Sequence, residues 1–343
     1  MVKRVHITAW SRLFQRNLKA ITGPAVRAGR VAAQRTIKSS AQALQPPPGD
    51  GDWLAGVAMG VGGARRYRVY RPPGVRFDEK LPLLVMLHGC GQDAKSFATI
   101  TRMNRVAARE RFLVLYPEQA RLANVQGCWN WFDTDSGRAF SEAALIMKAI
   151  DQACLIYPVD RTRVALVGLS AGASMAALLA TRHPGRFKAV VMHSGIPPGT
   201  AHSTASAIGA MHGRRATVLP AAPLVASTKT VGALPWPPLL VIHGEADPVV
   251  SVRNGHAAVR VWADAAGAQA GQPRSVQRGK RHAMAVTDFR RGAATVARLI
   301  EIASLGHAWS GGAAGQPYSD GQGPDASRLA WAFITKALRA SGQ

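Results

Sequence analysis

The segment Gly168-Leu169-Ser170-Ala171-Gly172 places a serine between two glycines, directly after the apolar run that begins at Val164. A serine hydroxyl is a weak nucleophile at neutral pH, so it needs a base to take its proton and an acid to orient that base. A sharp strand-to-helix turn suits such a serine, and glycines two residues to either side let strand and helix approach without side-chain collision. Ser170 Oγ would then stand above a sheet beside a helix N-terminus, whose free N–H groups favour developing negative charge. The small residues Ala171, Ala173, Ser174 and Ala176 fit the helical side of that turn.

The two partners are expected downstream, each in a loop just after a later strand. Asp247 follows the apolar run Leu239 to Ile242, and His307 lies in a glycine-flanked loop after a run ending near Ile302. The order Ser170, Asp247, His307 is the expected one. Glu245 and Asp264 compete for the acid, and His256 and His282 for the base. Glu245 lies two residues nearer the strand, Asp264 and His256 fall inside a helical pattern, and His282 sits among charged residues.

Attack on a carbonyl also needs two donors aimed at the oxyanion. The N–H of Ala171 is one candidate. The second belongs in a loop after an early strand, where His88-Gly89-Cys90-Gly91 stands, with the Cys90 N–H as candidate. The run Gly127 to Asp133 supplies Trp129, Asn130 and Trp131, either as core packing or as an apolar wall with one polar handle for an ester chain. Cys90, Cys128 and Cys154 are the only cysteines. A Cys90–Cys128 bond would pin that wall beside the oxyanion loop, but the sequence leaves the pairing open.

These residues must be held by a regular scaffold. The runs "YRVYRP", "LPLLVMLHG", "FLVLYP", "RVALVGLS", "FKAVVMHSG", "PPLLVIHG" and "VARLIEI" read as strands. Their apolar character is nearly continuous, as expected of strands covered on both faces by helices in a mostly parallel α/β sheet. A closing amphipathic helix begins near Asp325 or Ser327, either of which can cap it. The Ala, Thr, Pro and Gly-rich stretch from Ile196 to Pro237 reads as an insertion over one sheet edge.

The chain of 343 residues is long enough for one large domain or two ordinary ones. We divide it into a basic arm and linker, residues 1–52, and a catalytic domain, residues 53–343. Residues 1 to 45 hold nine Lys or Arg and no Asp or Glu. Trp10, Leu13, Phe14, Leu18 and Ile21 recur at the spacing of one helical face. Such a segment could pack on the body, or adsorb to an anionic or hydrophobic surface. It lacks the apolar core and cleavage site of a secretory signal. The formal net charge of +24 favours anionic partners. Zinc-finger spacing, RNP-like strands and basic heptads are missing, so no specific nucleic-acid reader is expected. No metal motif, phosphate loop or dinucleotide fingerprint occurs, so no cofactor is implied.

Taken together, "LHGCGQ", "GCWNWF", "GLSAGASMAA", "HGEADPVV", "GHAWSGG" and the downstream "YSDGQGPDAS" resemble the poly(3-hydroxybutyrate) depolymerase family of esterases. The resemblance covers roughly Arg66 to Leu338. It implies an α/β-hydrolase fold, a serine esterase acting on short-chain polyhydroxyalkanoates, the triad Ser170, Asp247 and His307, and Cys90 at the oxyanion loop. It also implies a hydrophobic polyester surface or granule as partner and an extracellular setting, with a cytoplasmic or granule-associated one as the alternative. Feruloyl and acetylxylan esterases share the arrangement and are the first alternative. A basic surface-binding protein with an inactive hydrolase body is the second.

Overall fold

The computed structural model describes residues 47, 50–217 and 235–340. The basic arm at residues 1–45 lies outside the described residues, as does 218–234 of the insertion. Within the rest, runs of Val, Leu and Ile form strands and the stretches between them form helices. The order begins with β1 (Asp52–Gly60), β2 (Gly63–Arg71), β3 (Leu81–Leu87), α1 (Ala94–Thr101), α2 (Met103–Glu110), β4 (Leu113–Pro117) and α3 (Arg138–Ile156). It continues with β5 (Val159–Leu169), α4 (Ala171–Arg182), β6 (Ala189–His193), α5 (Thr204–Met211), β7 (Leu239–Gly244), α6 (Arg253–Ala266), β8 (Gln269–Ala270) and β9 (Arg274–Val276). Last come β10 (Met284–Arg291), β11 (Ala294–Ile302), β12 (Trp309–Ser310), β13 (Ser319–Asp320) and α7 (Ala326–Ala340).

Eleven strands make one sheet in the order β1-β2-β4-β3-β5-β6-β7-β11-β10-β8, with β9 also paired to β10. Pairing is parallel from β4 through β3, β5, β6 and β7 to β11. It is antiparallel at both flanks. Side chains alternate between two cores. Leu83, Val85 and Leu87 join Ile146, Met175 and Val259 on one face. Leu84 and Met86 join Phe97, Met103 and Ile334 on the other. Both faces are therefore covered, which explains why the central strands are apolar at nearly every position.

Two long strands differ from the sequence reading. β1 pairs with β2 along its whole length, and Asp52, assigned above to the linker, is its first residue, opposite Arg71. β10 pairs antiparallel with β11 and alternates buried and half-buried positions along "MAVTDFRR". Both are flank strands with one solvated side, so neither has the continuous apolar run by which the inner strands stand out. The insertion is also displaced from its expected place. β6 and β7 are paired interior strands, so the described part, including α5, rises above their C-terminal ends instead of covering a sheet edge. The Met211 carbonyl accepts from Ser251 N–H at 2.8 Å, and the Ala210 carbonyl accepts from the Asn254 amide at 2.9 Å. Among the described residues no helix is long and apolar enough to cross a membrane. The Asp325 carboxylate, not Ser327, caps α7 by accepting from Arg328 N–H at 3.1 Å.

Candidate active site

β5 ends at Leu169 and α4 begins at Ala171, so Ser170 alone makes the turn, at φ 56° and ψ −121°. That is a strained conformation for a residue with a side chain, of the kind concentrated at functional sites. Glycines permit it. A Cβ on Gly168 would lie 2.3 Å from the carbonyl carbon of Gly172, and one on Gly172 would lie 2.1 Å from the Leu87 carbonyl oxygen. The Ser170 N–H donates to the His193 carbonyl at 2.9 Å, and Ser174 N–H donates back to the Ser170 carbonyl at 3.1 Å. Ser170 Oγ caps nothing, so the hydroxyl is not tied into the helix.

Asp247 follows β7. Its Oδ1 accepts from the N–H groups of Val249 and Val250, each at 2.9 Å, and its Oδ2 accepts from His307 Nδ1 at 2.8 Å. With Nδ1 donating, His307 leaves Nε2 as the acceptor, which is the tautomer a general base needs. Burial would raise the Asp247 carboxyl, but the His307 imidazole, the hydrogen bond from it, the nearby His243 and the backbone donors together hold it at about 2. The competing groups stand apart from this pair. Glu245 is exposed and Asp264 lies on the exposed side of α6. His256 meets Glu301 at 2.7 Å, and His282 meets Asp320 at 3.2 Å. Asp247 and His307 are thus brought together, while Ser170 Oγ and His307 make no hydrogen bond with each other, as is common before substrate arrives.

The loop after β3 lies against the serine: a Cβ on Gly89 would be 3.6 Å from Ser170 Cβ. Cys90 is bonded to Cys128, with Cα atoms 4.2 Å apart. Among the described residues neither Cys90 N–H nor Ala171 N–H meets an acceptor. A cleft of about 30 Å³ beside Ser170 is walled by the disulfide, Trp129, Trp131, Ile196 and Met211. Asn130 does not reach it. The Asn130 amide donates to Glu142 at 2.6 Å and its Oδ1 accepts from Asn124 at 2.9 Å, so it anchors the aromatic loop from behind.

Sequence reasoning passed over the groups that fix this loop cluster. Glu142 accepts from Gln119 at 2.7 Å as well as from Asn130, and Gln119 in turn accepts from buried Arg65 at 2.6 Å. Three buried histidines stand at the C-terminal ends of β3, β6 and β7. His88 Nε2 accepts from Gln119 N–H at 3.1 Å, leaving Nδ1 to donate to the Gly89 carbonyl at 2.8 Å. His193 Nε2 accepts from Ser310 N–H at 3.2 Å, and its ring stacks on Trp309 at 5.0 Å. His243 Nε2 donates to the Val250 carbonyl at 2.8 Å. Burial lowers His88 to about 4 and His193 to about 3, and lowers His243 as well. A signal for all three was present in the sequence: "LHG", "MHSG" and "IHG" each put a histidine and then a glycine at the end of an apolar run.

Residues 65–275 match the family model described as Esterase PHB depolymerase. The chain belongs to this family. The match includes Ser170 and Asp247, and the loop carrying His307 lies beyond it. Poly(3-hydroxyalkanoate) depolymerase C of Paucimonas lemoignei is 34% identical over 131 residues, covering 38% of this chain and 31% of the relative. Probable acetylxylan esterase A of Aspergillus clavatus is 26% identical over 207 residues, covering 58% of this chain and 66% of the relative. This chain therefore spans less than two thirds of either relative's length. Among solved structures, the acetyl xylan esterase from Aspergillus awamori superposes with a TM-score of 0.56 at 17% identity, over 75% of this chain and 94% of that one. At that identity the likeness is one of fold, and the fold is that of the α/β-hydrolases.

Proposed function

We propose that this protein is a serine esterase that hydrolyses carboxylic esters through an acyl-enzyme, with short-chain polyhydroxyalkanoate as its substrate class. The observation that carries the reading is the strained Ser170 turn beside a loop in which Asp247 accepts from His307 Nδ1 at 2.8 Å. Ser170 Oγ attacks the ester carbonyl while His307 Nε2 takes its proton. The imidazolium then protonates the leaving alkoxide as the tetrahedral intermediate collapses. Water, deprotonated by the same nitrogen, attacks the acyl-enzyme, and the proton returns to Ser170 as the acid departs. Asp247 holds the His307 tautomer, and the N–H groups of Ala171 and Cys90 receive the oxyanion.

The small apolar cleft between the disulfide and Trp131 favours a short aliphatic acyl unit over an extended aromatic one, and so favours a hydroxybutyryl or acetyl group over a feruloyl group. The basic segment at residues 1–45 is assigned to adsorption on a polymer or anionic surface. A burst with an activated butyrate ester, abolished in Ser170→Ala, tests the chemistry, and wild-type turnover by that variant would refute it. Parallel incubation with polyhydroxybutyrate film, acetylated xylan and a feruloyl ester tests the substrate class. Deletion of residues 1–45 should spare turnover of the soluble ester and reduce retention on the film. A binding protein with an inactive hydrolase body would show no burst at all.

A further inference from the structure

A second cleft, distinct from the one at Ser170, lies against α2, α7 and the turn between β9 and β10. It measures about 620 Å³ and is lined by Arg102, Arg105, Arg109, Arg278, Arg281 and Arg328, with His282 beside them and Asp325 as the single carboxylate. The arginines come from three separate stretches: the start and exposed face of α2, the turn between β9 and β10, and the first turn of α7. The fold thus converges positive charge on one concavity. Arg105 and Arg109 stand one helical turn apart, an arrangement of like charges that destabilises a helix unless a counter-charge is supplied.

Part of that counter-charge is internal. Arg109 pairs with Glu110 at 2.7 Å and Arg328 with Asp325 at 3.5 Å, while Arg102 and Arg281 donate to the Gly311 and Gly323 carbonyls. Arg105 and Arg278 are exposed and make no ion pair or side-chain hydrogen bond among the described residues. Every Lys or Arg in the lining is an arginine, whose planar fork suits paired oxygens of a phosphate, whereas lysine offers a point charge. No Phe, Tyr or Trp lines the cleft, and its one aromatic ring, His282, is held by Asp320, so the lining favours phosphate groups over a nucleobase. The cleft is concave and of small-ligand size, unlike the flat or convex surface that meets a bilayer.

We infer that this arginine cleft is a binding site for a small anion carrying several phosphate groups, separate from the ester-hydrolysing centre and independent of the activity proposed for it. Arg105 and Arg278 supply the free forks, and Arg102 and Arg281, already fixed by backbone carbonyls, orient the remaining guanidinium edges.

Calorimetric titration of the full chain with inorganic tripolyphosphate tests this. The double variant Arg105→Ser/Arg278→Ser should bind about a hundredfold more weakly, since each charged hydrogen bond lost is worth about tenfold. A charge-matched control, Arg66→Ser/Arg161→Ser on other surfaces, should stay within about twofold of the wild type, because screened distant charges contribute little. Residues 1–45 are present in all three proteins and contribute equally. Equal weakening in both double variants would reduce the effect to bulk charge and overturn the site, as would an absence of tripolyphosphate binding. Retention on phosphatidylglycerol vesicles that depends on Arg105 and Arg278, without binding of tripolyphosphate, would overturn it in favour of a membrane surface. Unchanged melting temperatures of both variants exclude misfolding as the cause.

Discussion

Lowering the pH from 7 to 5 should destabilise this protein steeply, because His88, His193 and His243 are buried in the folded state and bathed in water in the unfolded one. Folded-state values are about 4 for His88 and about 3 for His193, against about 6.5 for a solvated imidazole. The unfolded chain therefore binds these protons first as the pH falls. The stability that depends on neutral imidazoles is complete above about pH 6.5 and drains away as the pH drops toward the folded values. At pH 5 each of these two histidines costs roughly 2 kcal/mol, so the pair removes about 4 kcal/mol relative to pH 7, a large share of a typical domain's stability. His243 is lowered in the same direction and adds to the loss. Asp247 and Asp288 are held at about 2, and even unfolded carboxylates stay largely ionised down to about pH 5, so this window belongs to the imidazoles. Urea unfolding followed by tryptophan fluorescence at pH 7, 6 and 5 measures the slope. His193→Gln keeps an acceptor for Ser310 N–H but does not titrate, so its loss between pH 7 and 5 should be smaller by roughly 2 kcal/mol. A wild-type free energy that is flat across this range, or a variant that falls as steeply as wild type, would refute the argument.

Asp247→Asn keeps the shape of the acid but donates where Oδ2 now accepts from His307. Stopped assays on an activated ester should show kcat down about ten-thousandfold with KM little altered. Reducing the Cys90–Cys128 bond, which links residues 38 apart, should cost about 4 kcal/mol of stability, read from the urea midpoint, and lower esterase turnover by loosening the oxyanion loop. Cys154 is buried and unpaired, and burial raises its thiol. Ellman's reagent should therefore modify it only on the timescale of unfolding, and rapid labelling of the native protein would contradict its placement.

The parts of the site that were legible in the sequence are those in which one residue type is sterically or chemically required at one place. Gly168 and Gly172 could be read because any side chain there meets backbone within 2.3 Å. Asp247 and His307 could be read from their positions just after apolar runs. The hidden parts depend on where helices and loops dock. Glu142 looks like an ordinary helix carboxylate in sequence, yet it is buried and holds both Gln119 and Asn130. Asn130 sits between two tryptophans and so reads as a ligand handle, but Glu142 pulls its amide inward. β10 carries Asp288 and two arginines within eight residues, which conceals its alternating buried face. The six arginines of the second cleft are dispersed from Arg102 to Arg328, and only the fold brings them together.

A serine held at φ 56° stores strain on the order of 1–3 kcal/mol, so the surrounding structure must over-determine the turn. Three sets of contacts do so, and none depends on the Ser170 side chain. Gly172 seats α4 directly on the Leu87 carbonyl at the end of β3, as the Cβ that would not fit there demonstrates. The His193 carbonyl at the end of β6 accepts from Ser170 N–H, while the same residue's imidazole accepts from Ser310 N–H three residues past His307. Ala246 N–H and Glu245 N–H, beside Asp247, donate to the Leu305 and Ile302 carbonyls. Their arrangement explains why the Ser170 hydroxyl can stay free: the loops that carry Ser170, Asp247 and His307 are fastened to one another through backbone and buried imidazoles, while of the three side chains only the Asp247 carboxylate also holds its own turn, through Val249 and Val250 N–H.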